Sequence, residues 1–259
     1  MSRKESYNVR LLYDASYETS LDHSSRALTQ YILYREKIIQ KMRQMSPSNS
    51  ESEIHNLIVP RYESFEKVDF AKGVYRNNAW LLDDKFMSFQ TILSEGRMDA
   101  VIEAVTLQDS PIQDDGRPDI SLIFSDDPSD VPSVDVVVVE LKRITDAEKE
   151  NQFVVNQLLL RARKLVAHCP NIERMWYYAV ININKDMEDV LLQQKFTPMY
   201  SKGKIFYQEY ETRRPDGKIA ITPVFLVSYD SVVSDAQSRN HTFLEILRNT
   251  MREHSEKVT

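Results

Sequence analysis

Cysteine and glycine are both scarce in this chain of 259 residues, which has one cysteine and five glycines. The single thiol, Cys169, supports neither an intrachain disulfide framework nor a cysteine-rich zinc site. Such sparing use fits a reducing, cytoplasmic compartment. So few glycines argue against a glycine-rich phosphate loop and against a sandwich built on many tight turns. The sequence has no His-Glu-x-x-His pair, which excludes the zinc-protease arrangement. No apolar run reaches the length of a membrane span, and the opening stretch MSRKESYNVRLLYDASYE lacks the apolar core of a signal sequence; no membrane partner is expected. Excess positive charge is missing too. A formal net charge of −6 rules out a wholly basic nucleic-acid coat. It leaves room for a local basic groove, because charges are screened within about 10 Å in 0.1 M salt.

What is present is an ordinary soluble balance, 42% hydrophobic and 28% charged, in a chain long enough to bury a sizeable core. Residues 1–20 read as an extended arm. Residues 22–46 carry Leu28, Tyr31, Ile32, Ile38, Ile39 and Met42 at near-helical spacing, with Ser24 or Ser25 as a cap and the SPSNS stretch as the stop. A short helix follows at 50–58, ended by Pro60. The stretch 61–95 leaves helix against strand open, although Trp80, Leu81, Leu82, Phe86 and Phe89 are expected to be partly buried. Clearer elements come next: strands at about 118–125 and 133–143, a helix at 146–168, a strand at 174–183 and a helix near 185–194. A hairpin then turns at Asp216-Gly217, and a final helix spans 230–255. The acidic connection 125–133, with Asp126, Asp127 and Asp130, reads as a solvated loop. This order predicts an α/β (α+β) protein with one mixed central sheet flanked by helices. It divides into an N-terminal arm and helix, 1–48, and a main domain, 49–259.

The run VDVVVVELKR at 134–143 carries the chemistry. Side chains alternate across a strand, so Glu140 and Lys142 project from one face, after the valines of a central strand. Charge there is expensive unless it is paired or holds a metal. One reading is an ion pair at a strand end. The other draws on Pro118-Asp119, which opens the preceding strand; a hairpin-like connection would bring Asp119 beside Glu140. Two carboxylates and a lysine at adjacent strand ends are the parts of an Mg²⁺ or Mn²⁺ site, with the lysine able to orient water and offset charge on a phosphate.

The PD at 118–119 followed by ELK at 140–142, on two strands that precede a helix and a third strand, resembles the PD-(D/E)XK nuclease superfamily. That resemblance implies a restriction-endonuclease-like sheet and metal-dependent cleavage of phosphodiester bonds, in DNA above RNA. It assigns Asp119 and Glu140 as metal ligands with the Leu141 carbonyl, and Lys142 as the group that positions the attacking water. Glu53, on an earlier helix, matches a supporting acid. Gln157 matches a helix residue that reaches the metal in several branches, with a solvated glutamine as the equal alternative. Arg161 and Lys164 continue the polar stripe of Gln157 and are nucleic-acid contacts or a solvated helix face. Arg213 and Arg214, beside the hairpin tip, are backbone contacts or surface charge. His55 reads as a partly buried structural histidine, and Asp114 and Asp115 as turn formers.

EIHNLIVP, AWLLDDKF, DGRPDISL, VVVVELKR, NQLLLRARKL and SRNHTFLEIL, across most of 28–248, also resemble the nuclease-like C-terminal domain of bacterial histidine-kinase-like (GHKL-type) ATPases. Some of these are thought to act in defence, which implies an ATPase partner or a missing ATPase domain. The competing readings are an inactive nucleic-acid-binding or protein-interaction module and a scaffold that self-associates through helices 22–46 and 230–255.

Overall fold

The computed structural model describes residues 3–66, 73–124, 133–145, 148–201 and 203–258, with side chains from 20 to 249 within those ranges except at 148. The acidic aspartates 126, 127 and 130 lie outside the described residues.

The chain forms two units. One combines the chain up to Gln40 with the chain from Gln237 onward, and the other is Lys41–Ala236. Both boundaries fall inside long helices. The first, α1 (Arg3–Arg43), already begins at Arg3, so residues 3–20 are helical and Ser24 and Ser25 are interior rather than caps. No glycine or proline occurs before Pro47, so the helix set by the patterned half propagates toward the N-terminus without a breaker. Ile32, Arg35, Ile38 and Ile39 form its buried stripe, while Leu28 is exposed. Within this first unit, Asn240 Nδ2 of the last helix donates to Glu36 Oε2 at 3.2 Å.

The second unit is built on an eight-stranded mixed sheet of order β1-β2-β3-β4-β5-β8-β7-β6. Its strands are β1 (Ser64–Glu66), β2 (Thr91–Ser94), β3 (Ile120–Phe124), β4 (Val134–Leu141), β5 (Ile172–Ile181), β6 (Thr197–Pro198), β7 (Ile205–Arg213) and β8 (Ile219–Ser228). Helices α2 (Glu51–Ile58), α3 (Met98–Thr106), α4 (Glu148–His168) and α5 (Lys185–Gln193) complete it with the start of α6 (Tyr229–Val258). The ambiguous stretch 61–95 resolves into the short strands β1 and β2 and two 3₁₀ turns, Ala79–Leu81 and Asp84–Ser88. Trp80, Leu81, Phe86 and Phe89 are buried.

Strands β4, β5 and β8 are parallel neighbours. A parallel strand is covered on both faces and reads as a continuous apolar run, which accounts for the four valines. Val134, Val136 and Val138 pack on one face with Val154, Leu158, Ala162 and Leu165 of α4 and with Met98 and Ile102 of α3. Val137 and Trp176 belong to the other face, where Phe86 meets Tyr178 edge-on at 5.5 Å and Tyr178 stacks on Phe225 at 4.8 Å. Burying each such side chain contributes about 1.5–3 kcal/mol. The β3–β4 pairing is antiparallel with Ile120 opposite Val139, and one further step of that register sets Asp119 opposite Glu140 on the face covered by α4. The β7–β8 hairpin turns at Gly217, whose φ of 84° is the left-handed conformation that suits glycine. None of the described helices is long and apolar enough to cross a membrane.

Candidate metal centre

Asp119 and Glu140 meet where β3 begins and β4 ends. Asp119 is 8% exposed and Glu140 2%, so two acids are withdrawn from water at adjacent strand ends. Asp119 Oδ2 accepts the Leu141 N–H at 2.5 Å, which ties the first acid to the strand bearing the second. On the other side of β4, the Lys142 N–H bonds Val180 of β5 at 3.0 Å. The parallel ladder thus uses the residues flanking Leu141. The N–H and carbonyl of one strand residue share an edge, so the Leu141 carbonyl lies on the Asp119 side. Lys142 Nζ stands 4.0 Å from Glu140 Oε2. Behind it, the Tyr229 hydroxyl donates to the Lys142 carbonyl.

The electrostatics mark the pair as strained when no cation is bound. Burial pushes Asp119 up to about 6, with the Glu51 carboxylate adding to the rise; the Leu141 N–H, Lys142 and His55 pull it down. Burial and then the Asp119 charge push Glu140 up to about 8, against Arg161 and Lys142. Glu51 is half-buried, and among the described residues its carboxylate has no hydrogen bond or ion pair. Asp119 therefore meets like charge from both Glu51 and Glu140, with Lys142 beside it.

Glu53, not Glu51, is the acid expected from α2, and it turns away. Its carboxylate accepts from the Ser50 N–H at 2.7 Å and the Ser50 hydroxyl at 2.9 Å, forming a capping box. These bonds hold it well below the usual carboxylate range, and the side chain is exposed. Glu51 instead shares the helix face of Ile54, His55 and Ile58, at spacing i, i+3, i+4, i+7. That spacing, together with the Ser-x-x-Glu capping signature, is the signal that would have separated the two.

His55 is buried as read, and both of its ring nitrogens meet backbone carbonyls: Nδ1 at 2.8 Å from Val59 O and Nε2 at 2.9 Å from Asp119 O. It clamps α2 onto β3. His55, Glu95 and Asp119 have ligand atoms within 4.8 Å of one another. Glu95, however, accepts Arg61 Nε at 2.6 Å, so two members of that trio are already engaged. Asp119 belongs both to that trio and to the pair with Glu140, and of its neighbours Glu140 is held less closely, by Arg161 at 3.4 Å and Lys142 at 4.0 Å, than Glu95 is by Arg61.

From α4, Arg161 reaches inward, its Nε 3.4 Å from Glu140 Oε1 and its Nη2 3.0 Å from Arg117 O. Its side chain is 11% exposed, so it is drawn into the site rather than lying on a solvated helix face. Gln157, one turn earlier, has a buried Oε1 with no hydrogen-bond partner among the described residues. An unpartnered buried oxygen of this kind is of the chemical type that a hard divalent ion takes. Lys164 is taken by an ion pair with Asp114, and Asp114 also accepts the Gly116 N–H at 2.9 Å, the turn expected of it. Arg213 and Arg214 belong to the far end of the sheet. Leu226 lies level with Ala179 and so with Glu140. Ile219, opposite Arg213, is seven residues further back, about 23 Å at the rise of a strand. Arg214 Nη2 is bound to the Ile172 carbonyl at 2.9 Å. Comparison with protein-family models, curated proteins and solved structures finds no match to this chain.

Proposed function

We propose that this protein is an Mg²⁺- or Mn²⁺-dependent phosphodiesterase, a cytoplasmic nuclease of the PD-(D/E)XK kind acting on DNA. The observation that carries the reading is the pairing of the buried Asp119 and Glu140 carboxylates at one strand end, with Lys142 beside Glu140 and the Glu51 charge adding to the field at Asp119. Buried like charges of this kind are costly without a cation, and perturbed acids cluster at functional sites. Asp119, Glu140 and the Leu141 carbonyl would hold the ion, with Glu51 in the supporting place first given to Glu53 and Gln157 contributing its free oxygen. Such an ion supplies positive charge that acidifies water and offsets the charge developing on a phosphodiester. Lys142, held through its own carbonyl by Tyr229 and set against Glu140, orients the attacking water and balances charge on the phosphate. His55 and the Asp119–Leu141 bond keep the strand ends in register. The net charge of −6, with Arg161 and Lys164 committed to acids, leaves DNA affinity to a partner; an ATPase would suit that role.

The test is incubation of the intact protein with supercoiled and single-stranded DNA in Mn²⁺ or in EDTA. Cleavage should occur with the ion alone and be lost in Asp119→Asn, Glu140→Gln and Lys142→Ala, while Lys142→Ala keeps Mn²⁺ affinity. Folded, Mn²⁺-binding protein that cuts neither DNA nor RNA would overturn the enzyme reading. A salt-dependent mobility shift without cutting would then assign a binding module.

A further inference from the structure

We infer that Arg161 is a built-in counter-cation of the candidate metal centre. It neutralises Glu140 when no ion is bound and competes with the ion for that carboxylate, so ion binding releases the guanidinium. The inference rests on the metal reading of Asp119 and Glu140.

Three observations carry it. Arg161 is nearly enclosed, yet its contact with Glu140 is a single 3.4 Å approach through Nε, not the two-pronged pairing a guanidinium makes with a carboxylate when geometry is free. It is therefore close enough to neutralise Glu140 and loosely enough held to leave. Second, the segment leading into Asp119 is shaped to admit it. Arg117 O accepts Nη2 at 3.0 Å, and a Cβ at Gly116 would come within 2.4 Å of Nη1. The glycine of this segment thus makes room for the guanidinium. Third, the charges balance differently with and without an ion. Lys142 and Arg161 are the cations beside the buried Asp119 and Glu140. A divalent ion that holds both acids ionised, together with Lys142, already outweighs those two carboxylates, so Arg161 becomes a surplus cation repelled by its neighbour.

The experiment is calorimetric titration of Mn²⁺ into wild type, Arg161→Met, Arg161→Lys and Gly116→Ala, each checked for folding by circular dichroism. Arg161→Met removes the competing charge and should tighten Mn²⁺ binding by about tenfold or more. Arg161→Lys keeps the charge and should stay near wild type. Gly116→Ala leaves the arginine in place but pushes the end of its side chain aside, and should tighten binding in the same direction. Binding by Arg161→Met where wild type shows none also supports the competition. Equal or weaker binding by folded Arg161→Met overturns it while leaving the metal reading intact. Absence of binding in both folded proteins overturns the metal reading itself.

Discussion

Glu51 and Glu53 stand two residues apart on one short helix and have opposite fates. Glu53 closes the capping box with Ser50, and the Glu51 charge helps raise Asp119. Changing Glu51 to Gln should therefore weaken Mn²⁺ binding and cleavage, whereas Glu53→Gln should lower the melting temperature slightly and leave ion binding unchanged. Calorimetry on the two variants decides it, and the reverse result would return the role to Glu53. Asp119, Glu140 and Lys142 were legible in the sequence because two signals coincide there. Charge interrupts an apolar strand, and a Pro-Asp opens its neighbour. Arg161 was harder to place, since a polar stripe on a helix looks the same whether it faces water or reaches over a sheet end.

The elements differ in legibility for a similar reason. The central strands β3, β4 and β5 and the helix α4 announce themselves because burial demands long apolar or periodic runs. Strands β1 and β2 have three and four residues, too few for a period to show. The first half of α1 lacks an apolar stripe, and only the absence of breakers hints at it. The packing of α4 on β4 is what aims Arg161 at Glu140. Leu158, three residues before it, is fully buried against the Val134–Val138 face. Leu158→Ala should cost about 2–5 kcal/mol in chemical denaturation and should also loosen Mn²⁺ binding. A loss of stability without any change in ion affinity would show that the helix does not set the site.

For the protein as a whole, the buried acids make a statement about pH. Asp119 is raised to about 6 and Glu140 to about 8, both above their ordinary values, so the folded chain holds protons that the unfolded chain gives up. Their contribution to stability is full below about pH 4 and is lost as pH rises through 6 and then 8. Glu51, His55, Lys142 and Arg161 surround them and set the size of the loss. Metal-free protein should therefore melt less readily at pH 5 than at pH 8. The Asp119→Asn/Glu140→Gln double variant should flatten that dependence, and Mn²⁺ should add most stability at the alkaline end. Thermal melts across pH check this, and an unchanged slope in the double variant would contradict it. The most direct measurement is anomalous diffraction from crystals soaked in Mn²⁺. The account predicts one peak within about 2.0–2.6 Å of oxygens from both Asp119 and Glu140. A peak bound by only one of those acids, or by neither, would contradict it.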